Sequence, residues 1–163
     1  MNAQLHFQVE QFLYHMAAAC DAQDWDQYLD CFSEDSEFHL PQWDSEHVYT
    51  QDPKKGMSLI YYPNRGGLED RVYRIRTGKA ASTIPMPRTV HLISNVRIAQ
   101  GQADELEVQV NWHTLYYRLQ VAEQFFGRAS YRLRPHGDSW KIARKHVVLL
   151  NDTINSVLDF YHL

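Results

Sequence analysis

The chain has 163 residues, of which 44% are apolar, enough for one domain around a single core. Its net charge of −4, with no basic run or basic–aromatic stripe, excludes a nucleic-acid footprint. No apolar run approaches the ~20 residues of a membrane span, and the start MNAQLHFQVEQF lacks the basic and apolar regions of a signal peptide.

Two lone cysteines, Cys20 and Cys31, with no Cys-x-x-Cys, argue against a structural zinc or an iron–sulfur cluster held by this chain alone. A cytoplasmic protein with no membrane contact is expected.

The first elements read as helices, spanning about residues 3–33. Leu5, Val9, Phe12, Leu13 and Met16 trace one helical face. Asp24 is placed to cap a second helix, with Trp25, Leu29 and Phe32 as its buried face and Tyr28 beside them. Glu37 to Leu40 turns extended, and Pro41 stops it. Val48–Thr50 and Met57–Tyr62 read as short strands around a polar turn at 52–56.

A third helix is expected over about 64–77. Asn64 caps it, Leu68, Val72 and Ile75 repeat at helical spacing, and Gly78 ends it. Residues 79–88 form a loop with two prolines. Four long strands follow at 88–99, 105–120, 122–135 and 139–150, within an antiparallel region of about 88–150. In the first, alternation sets Val90, Leu92, Val96 and Ile98 on one side and Thr89, His91, Asn95 and Arg97 on the other. In the second, Leu106, Val108, Val110, Trp112 and Tyr116 share a face. The segment 151–163 is short and ends apolar. Helices first and antiparallel strands afterwards indicate α+β. Three helices against a strongly curved sheet would make a cone with room for a pocket.

Of nine histidines, none shows the His-x-x-x-His spacing of a helical metal site. His91, His113 and His146 sit in predicted strands and could converge. Asp30 facing His91 or His113 would make an acid/base dyad suited to a stand-alone dehydratase or isomerase. The plainer reading is that His91 is a hydrogen-bonded structural histidine, Asp24 a cap, and Asp26 and Asp30 solvated. A small-molecule binding module is a third class. It would need an open cone lined by Trp112 and tyrosines. Arg65, Arg71, Arg74, Arg76 and Arg88 form a basic concentration in an acidic chain. Bidentate arginines suit ion pairs between proteins, and a solvated helix face is the alternative. No Gly-x-Ser-x-Gly, Walker A or dinucleotide pattern is present.

The segments IYYPNRGGLEDRVYRIRT (60–77), RTVHLISNV (88–96), FGRASYRLR (126–134) and VLDFYH (157–162) resemble the small (β) subunit of aromatic-ring-hydroxylating dioxygenases. The resemblance runs from Phe12 to the end of the chain and is strongest in the benzoate/anthranilate branch. It implies a cystatin/NTF2-like cone as a single domain over 1–163, and a partner large (α) subunit in an α3β3 hexamer. That partner would carry the Rieske [2Fe–2S] cluster, the mononuclear Fe(II) and the substrate pocket, and an NADH-dependent reductase would supply electrons. The holoenzyme would convert anthranilate to catechol with loss of ammonia and CO2; benzoate, giving a cis-diol, is the nearest alternative substrate. No catalytic, cofactor or metal residue carries over to this chain. Arg65, Arg71, Arg74, Arg76 and His91 are the candidate subunit contacts.

Overall fold

A computed structural model describes residues 2–163. Helix α1 (Ala3–Asp21) begins at Asn2, whose side chain accepts from the Gln4 N–H, and buries Val9, Phe12, Leu13 and Met16 as their spacing requires. Helix α2 (Trp25–Asp30) is capped by Asp24. It is shorter than expected. Strand β1 (Phe32–Pro41) starts only two residues after it, so Phe32 reaches the core from a strand. The buried face of α2 is Trp25 and Tyr28, at i and i+3, with Leu29 only partly covered.

Residues 42–57 cross the outer face of the sheet without the expected strand at 48–50; only a single bridge joins Trp43 and Tyr49. Strand β2 (Ser58–Tyr62) follows, then α3 (Gly66–Thr77). Asn64 accepts from the Gly66 N–H at 2.8 Å. Gly78 closes α3 in the left-handed region, φ 65°.

Strands β3 (Arg88–Gln100), β4 (Leu106–Arg118), β5 (Val121–His136) and β6 (Ser139–Leu149) complete a six-stranded sheet in the order β2-β1-β6-β5-β4-β3. Every neighbouring pair is antiparallel except β1 with β6. This is the α+β, mainly antiparallel architecture expected from the order of elements. The β4–β5 turn is Leu119-Gln120, both at positive φ. Both residues adopt a conformation that tight hairpins demand and that glycine or asparagine usually supplies, and no glycine announces it. Gly127 marks a close strand approach: a Cβ there would lie 1.9 Å from the Val148 carbonyl oxygen.

The inner face of β4 is Leu106, Val108, Val110, Trp112 and Tyr116, as alternation predicts. Strand β3 departs from its expected faces. Ser94 pairs with Asn111 and Arg97 with Gln109, so Asn95 and Val96 together oppose Val110. This is a β-bulge, with Asn95 at φ 55°. One extra residue exchanges the faces. Before it, Thr89, His91 and Ile93 point inward, and Val90 and Leu92 are 50% and 49% exposed; after it, Val96 and Ile98 point inward.

Candidate functional site

The bulge turns His91 into the cone, where it meets a residue that spacing did not single out. Asp21 ends α1. Its carboxylate sits where the helix dipole disfavours negative charge, and three donors from β3 offset that cost. The His91 Nδ1–H donates to Oδ1 at 2.5 Å, the Thr89 hydroxyl donates to the same oxygen at 3.0 Å, and the His91 backbone N–H donates to Oδ2 at 3.0 Å. Burial acts to raise the Asp21 pKa, but the hydrogen bonds from His91 and Thr89 hold it below the ordinary carboxylate value. With Nδ1 as donor, Nε2 of the neutral ring is the acceptor. The His91 side chain is 7% exposed.

The expected pairing of Asp30 with His91 or His113 is not formed. Asp30 lies at the end of α2, 81% exposed, and pairs with Lys141 at 3.0 Å. His113 is on the outer sheet face, 2.8 Å from Gln124. His146 is also outward, stacked edge-on against His39 beneath Tyr49. The three strand histidines therefore do not converge.

A histidine–aspartate pair with a free Nε2 is acid/base equipment, but nothing larger than water can reach it. The void it faces measures about 10 Å³ and is bounded by Tyr28, Trp112, Thr114, Tyr131, Lys145 and Leu163, among others. That is the lower limit of room for one water and too little for an organic substrate. The open cone required of a binding module is filled. Trp112 donates to the Arg128 carbonyl oxygen at 3.1 Å and is buried with Tyr28 and Tyr131.

The filling comes largely from the chain's own last residues. A 3₁₀ turn, Phe160–His162, lies wholly inside. Phe160 packs against Trp25 and Tyr28, and His162 stacks between Tyr116 and Tyr161. Asp159 anchors the turn by capping it and by an ion pair with Arg71. The Lys145 amine donates to the Leu163 oxygen at 3.3 Å, and burial pushes its pKa down to about 8.

The arginines of α3 divide accordingly. Arg65 donates to Glu69 at 2.7 Å and to the Phe32 carbonyl oxygen at 2.9 Å. Arg71 holds Asp159, and Arg76 holds Asp26 at 2.8 Å. Among the described residues Arg74 has no ion-pair partner, and it is exposed beside Tyr73. Burial raises both thiols, Cys20 to about 12 and Cys31 to about 11, so neither is disposed to bind metal as thiolate. Among the described residues no set of three or more His, Cys, Asp or Glu side chains is grouped to hold a metal ion.

On the outer face the strands carry two chemically distinct zones. Cross-strand neighbours Tyr61, His39, His146, Ser130, Gln109 and Arg97 form one polar row across all six strands. Toward the far end of β3, β4 and β5 the rows become Leu92, His113, Phe126 and then Val90, Leu115, Gln124, followed by Arg88, Tyr117, Ala122. Val90, Leu92, Leu115, Tyr117 and Phe126 all remain substantially exposed there.

A family profile described as ring hydroxylating beta subunit matches residues 15–156. The chain is 56% identical, over the whole of both sequences, to the small subunit of anthranilate 1,2-dioxygenase from Acinetobacter baylyi. It is 41% identical to the benzoate 1,2-dioxygenase subunit beta of the same organism, covering 96% of this chain and 92% of that one. Among solved structures, the β subunit of the benzoate 1,2-dioxygenase from Burkholderia mallei superposes with a TM-score of 0.79 at 41% identity over 95% of each chain.

Proposed function

The chain belongs to the family of ring-hydroxylating β subunits, and on that premise we propose that it is the small subunit of an anthranilate 1,2-dioxygenase. One observation carries the substrate: identity is 56% over the full length to the anthranilate relative, against 41% to the benzoate relative. The holoenzyme would take anthranilate, O2 and NADH to catechol, CO2 and ammonia. Benzoate, giving a cis-diol, is the second reading, supported by the similarity to the Burkholderia mallei β subunit.

In this reading the chain does no chemistry itself. Residues 1–163 serve as one cone-fold domain within a cytoplasmic α3β3 hexamer. The Rieske [2Fe–2S] cluster and the mononuclear Fe(II) belong to the large subunit, and an NADH-dependent reductase delivers electrons to it. The exposed apolar rows of β3–β5 support a role as a bound subunit, because monomers rarely leave such contiguous patches uncovered. For the arginine helix we propose that Arg74, with Tyr73, makes the direct contact to another subunit. Arg65 and Arg76 contribute only through the outer sides of their ion pairs, and Arg71 and His91 act from within by holding the fold.

The test is reconstitution. The chain is co-purified with its cognate large subunit, supplied with reductase, Fe(II) and NADH, and offered anthranilate and benzoate separately. Catechol and ammonia from anthranilate, with slower turnover of benzoate, is the expected result. Efficient cis-diol formation from benzoate with no product from anthranilate overturns the substrate. A monomer that never associates with a large subunit overturns the subunit reading itself.

A further inference from the structure

Four buried polar atoms of the cone interior have no protein partner: the Tyr28 hydroxyl, the Thr114 hydroxyl, His91 Nε2 and His162 Nε2, the last outside the lining of the void. Tyr28, Thr114 and His91 line the same void of about 10 Å³. Lys145 lines it too, and its amine, with three donors, has one protein acceptor, the Leu163 oxygen. A buried polar atom without a partner is costly, and three of these border one void. The requirements are complementary. With Nδ1 donating to Asp21, Nε2 of a neutral ring is an acceptor in need of a donor. Thr114 and Tyr28 can each give and receive, and Lys145 can only give.

We propose that the cone holds one water molecule as a built component, bound by His91, Thr114, Tyr28 and Lys145. The water donates to His91 Nε2 and to the Thr114 oxygen. It accepts from the Tyr28 hydroxyl and the Lys145 amine. Four partners are at the upper end of what internal waters use, and the void is the smallest that holds one. The polar chain then runs from Asp21 at the end of α1 through His91 on β3 to Thr114 on β4 and Lys145 on β6. This assigns the histidine–aspartate pair a ligand, and that ligand is solvent rather than an organic substrate.

The experiment is a crystal structure of the full chain, alone or in its complex, at a resolution that shows ordered solvent. It is joined by ¹⁵N spectroscopy of His91 and by the variants Thr114→Val and Thr114→Ser. A single density peak within hydrogen-bond distance of His91 Nε2 and Thr114 Oγ1 is expected, with His91 neutral and Nε2 unprotonated. Thr114→Val should lose the peak and lower Tm by about 2–4 °C, whereas Thr114→Ser should keep both. The proposal fails if the void is empty or if Thr114 bonds His91 directly. It also fails if the valine variant melts at or above the parent temperature. If the valine variant does not fold, the map of the parent protein decides.

Discussion

Asp21 binds both the ring and the main chain of His91: Oδ1 lies 2.5 Å from Nδ1, and Oδ2 accepts the backbone N–H at 3.0 Å. One side chain at a helix end thus fixes the depth, the ring orientation and the tautomer of a strand residue. Asp21→Ala strands a buried ring N–H and a strand N–H together, and should destabilise the chain by about 3 kcal/mol. Asp30→Ala removes an exposed pair and should cost no more than about 1 kcal/mol. Urea denaturation of the two variants side by side checks this. Equal losses would show that the Asp21–His91 pair does not hold the cone together.

Arg71 and Arg74 lie on one helix but should fail in different ways. Arg71→Ala leaves the Asp159 carboxylate, 5% exposed, without its cation, at a cost of about 2–4 kcal/mol. Hydrogen exchange over residues 159–163 should quicken with it. Arg74→Glu should leave the melting temperature of the isolated chain within about 1 °C and weaken the complex in sedimentation. If Arg74→Glu sediments as the intact complex, α3 faces water.

Part of this architecture is legible in periodicity. Val9, Phe12, Leu13 and Met16 on α1, and the even positions of β4, lie where simple spacing puts them. Two things could not be read that way. The Asn95 bulge inserts one residue into a run that still looks like strict alternation, so alternation alone gives His91 the wrong company on β3. Asp21 is 70 residues from His91 and shares no spacing with it. Its only local signal was a carboxylate at a helix C-terminus, where charge alone disfavours one. The plug at Phe160–His162 announced itself as an apolar ending, but nothing in the order of residues says which cavity an apolar ending fills.

The bulge makes its own prediction. Asn95 holds φ 55°, a region that asparagine tolerates and β-branched residues resist. Asn95→Val should cost about 1–2 kcal/mol, and Asn95→Gly should be close to neutral. Chemical denaturation distinguishes them; equal stability of the two variants would mean that the bulge relaxes without penalty.

Stability should also fall with acid in a defined window. Burial, reinforced by Arg144 and His39, pushes His146 down to about 4; burial pushes His162 down to about 4 against the opposing pull of Asp159. The unfolded chain takes up these protons near the ordinary value of 6.5, before the folded chain does. The folded state therefore keeps its full stability above pH 6.5 and loses it progressively as pH drops toward 4. Urea midpoints measured from pH 7.5 to 4.5 should decline over that range, and His162→Phe should flatten the decline. A midpoint independent of pH would contradict the burial of both rings.

The single inserted residue in β3 has a second effect, on the opposite side of the sheet. By exchanging faces at Asn95, it sends Val90 and Leu92 outward beside Leu115 and Phe126, while Arg97 stays outward at the end of the polar row. The exterior thereby acquires a gradient along its strands, greasy at one end and hydrophilic at the other. A body seated on such a gradient can lie one way round and not the other. The insertion that delivers His91 to Asp21 also gives the outside of the sheet a direction.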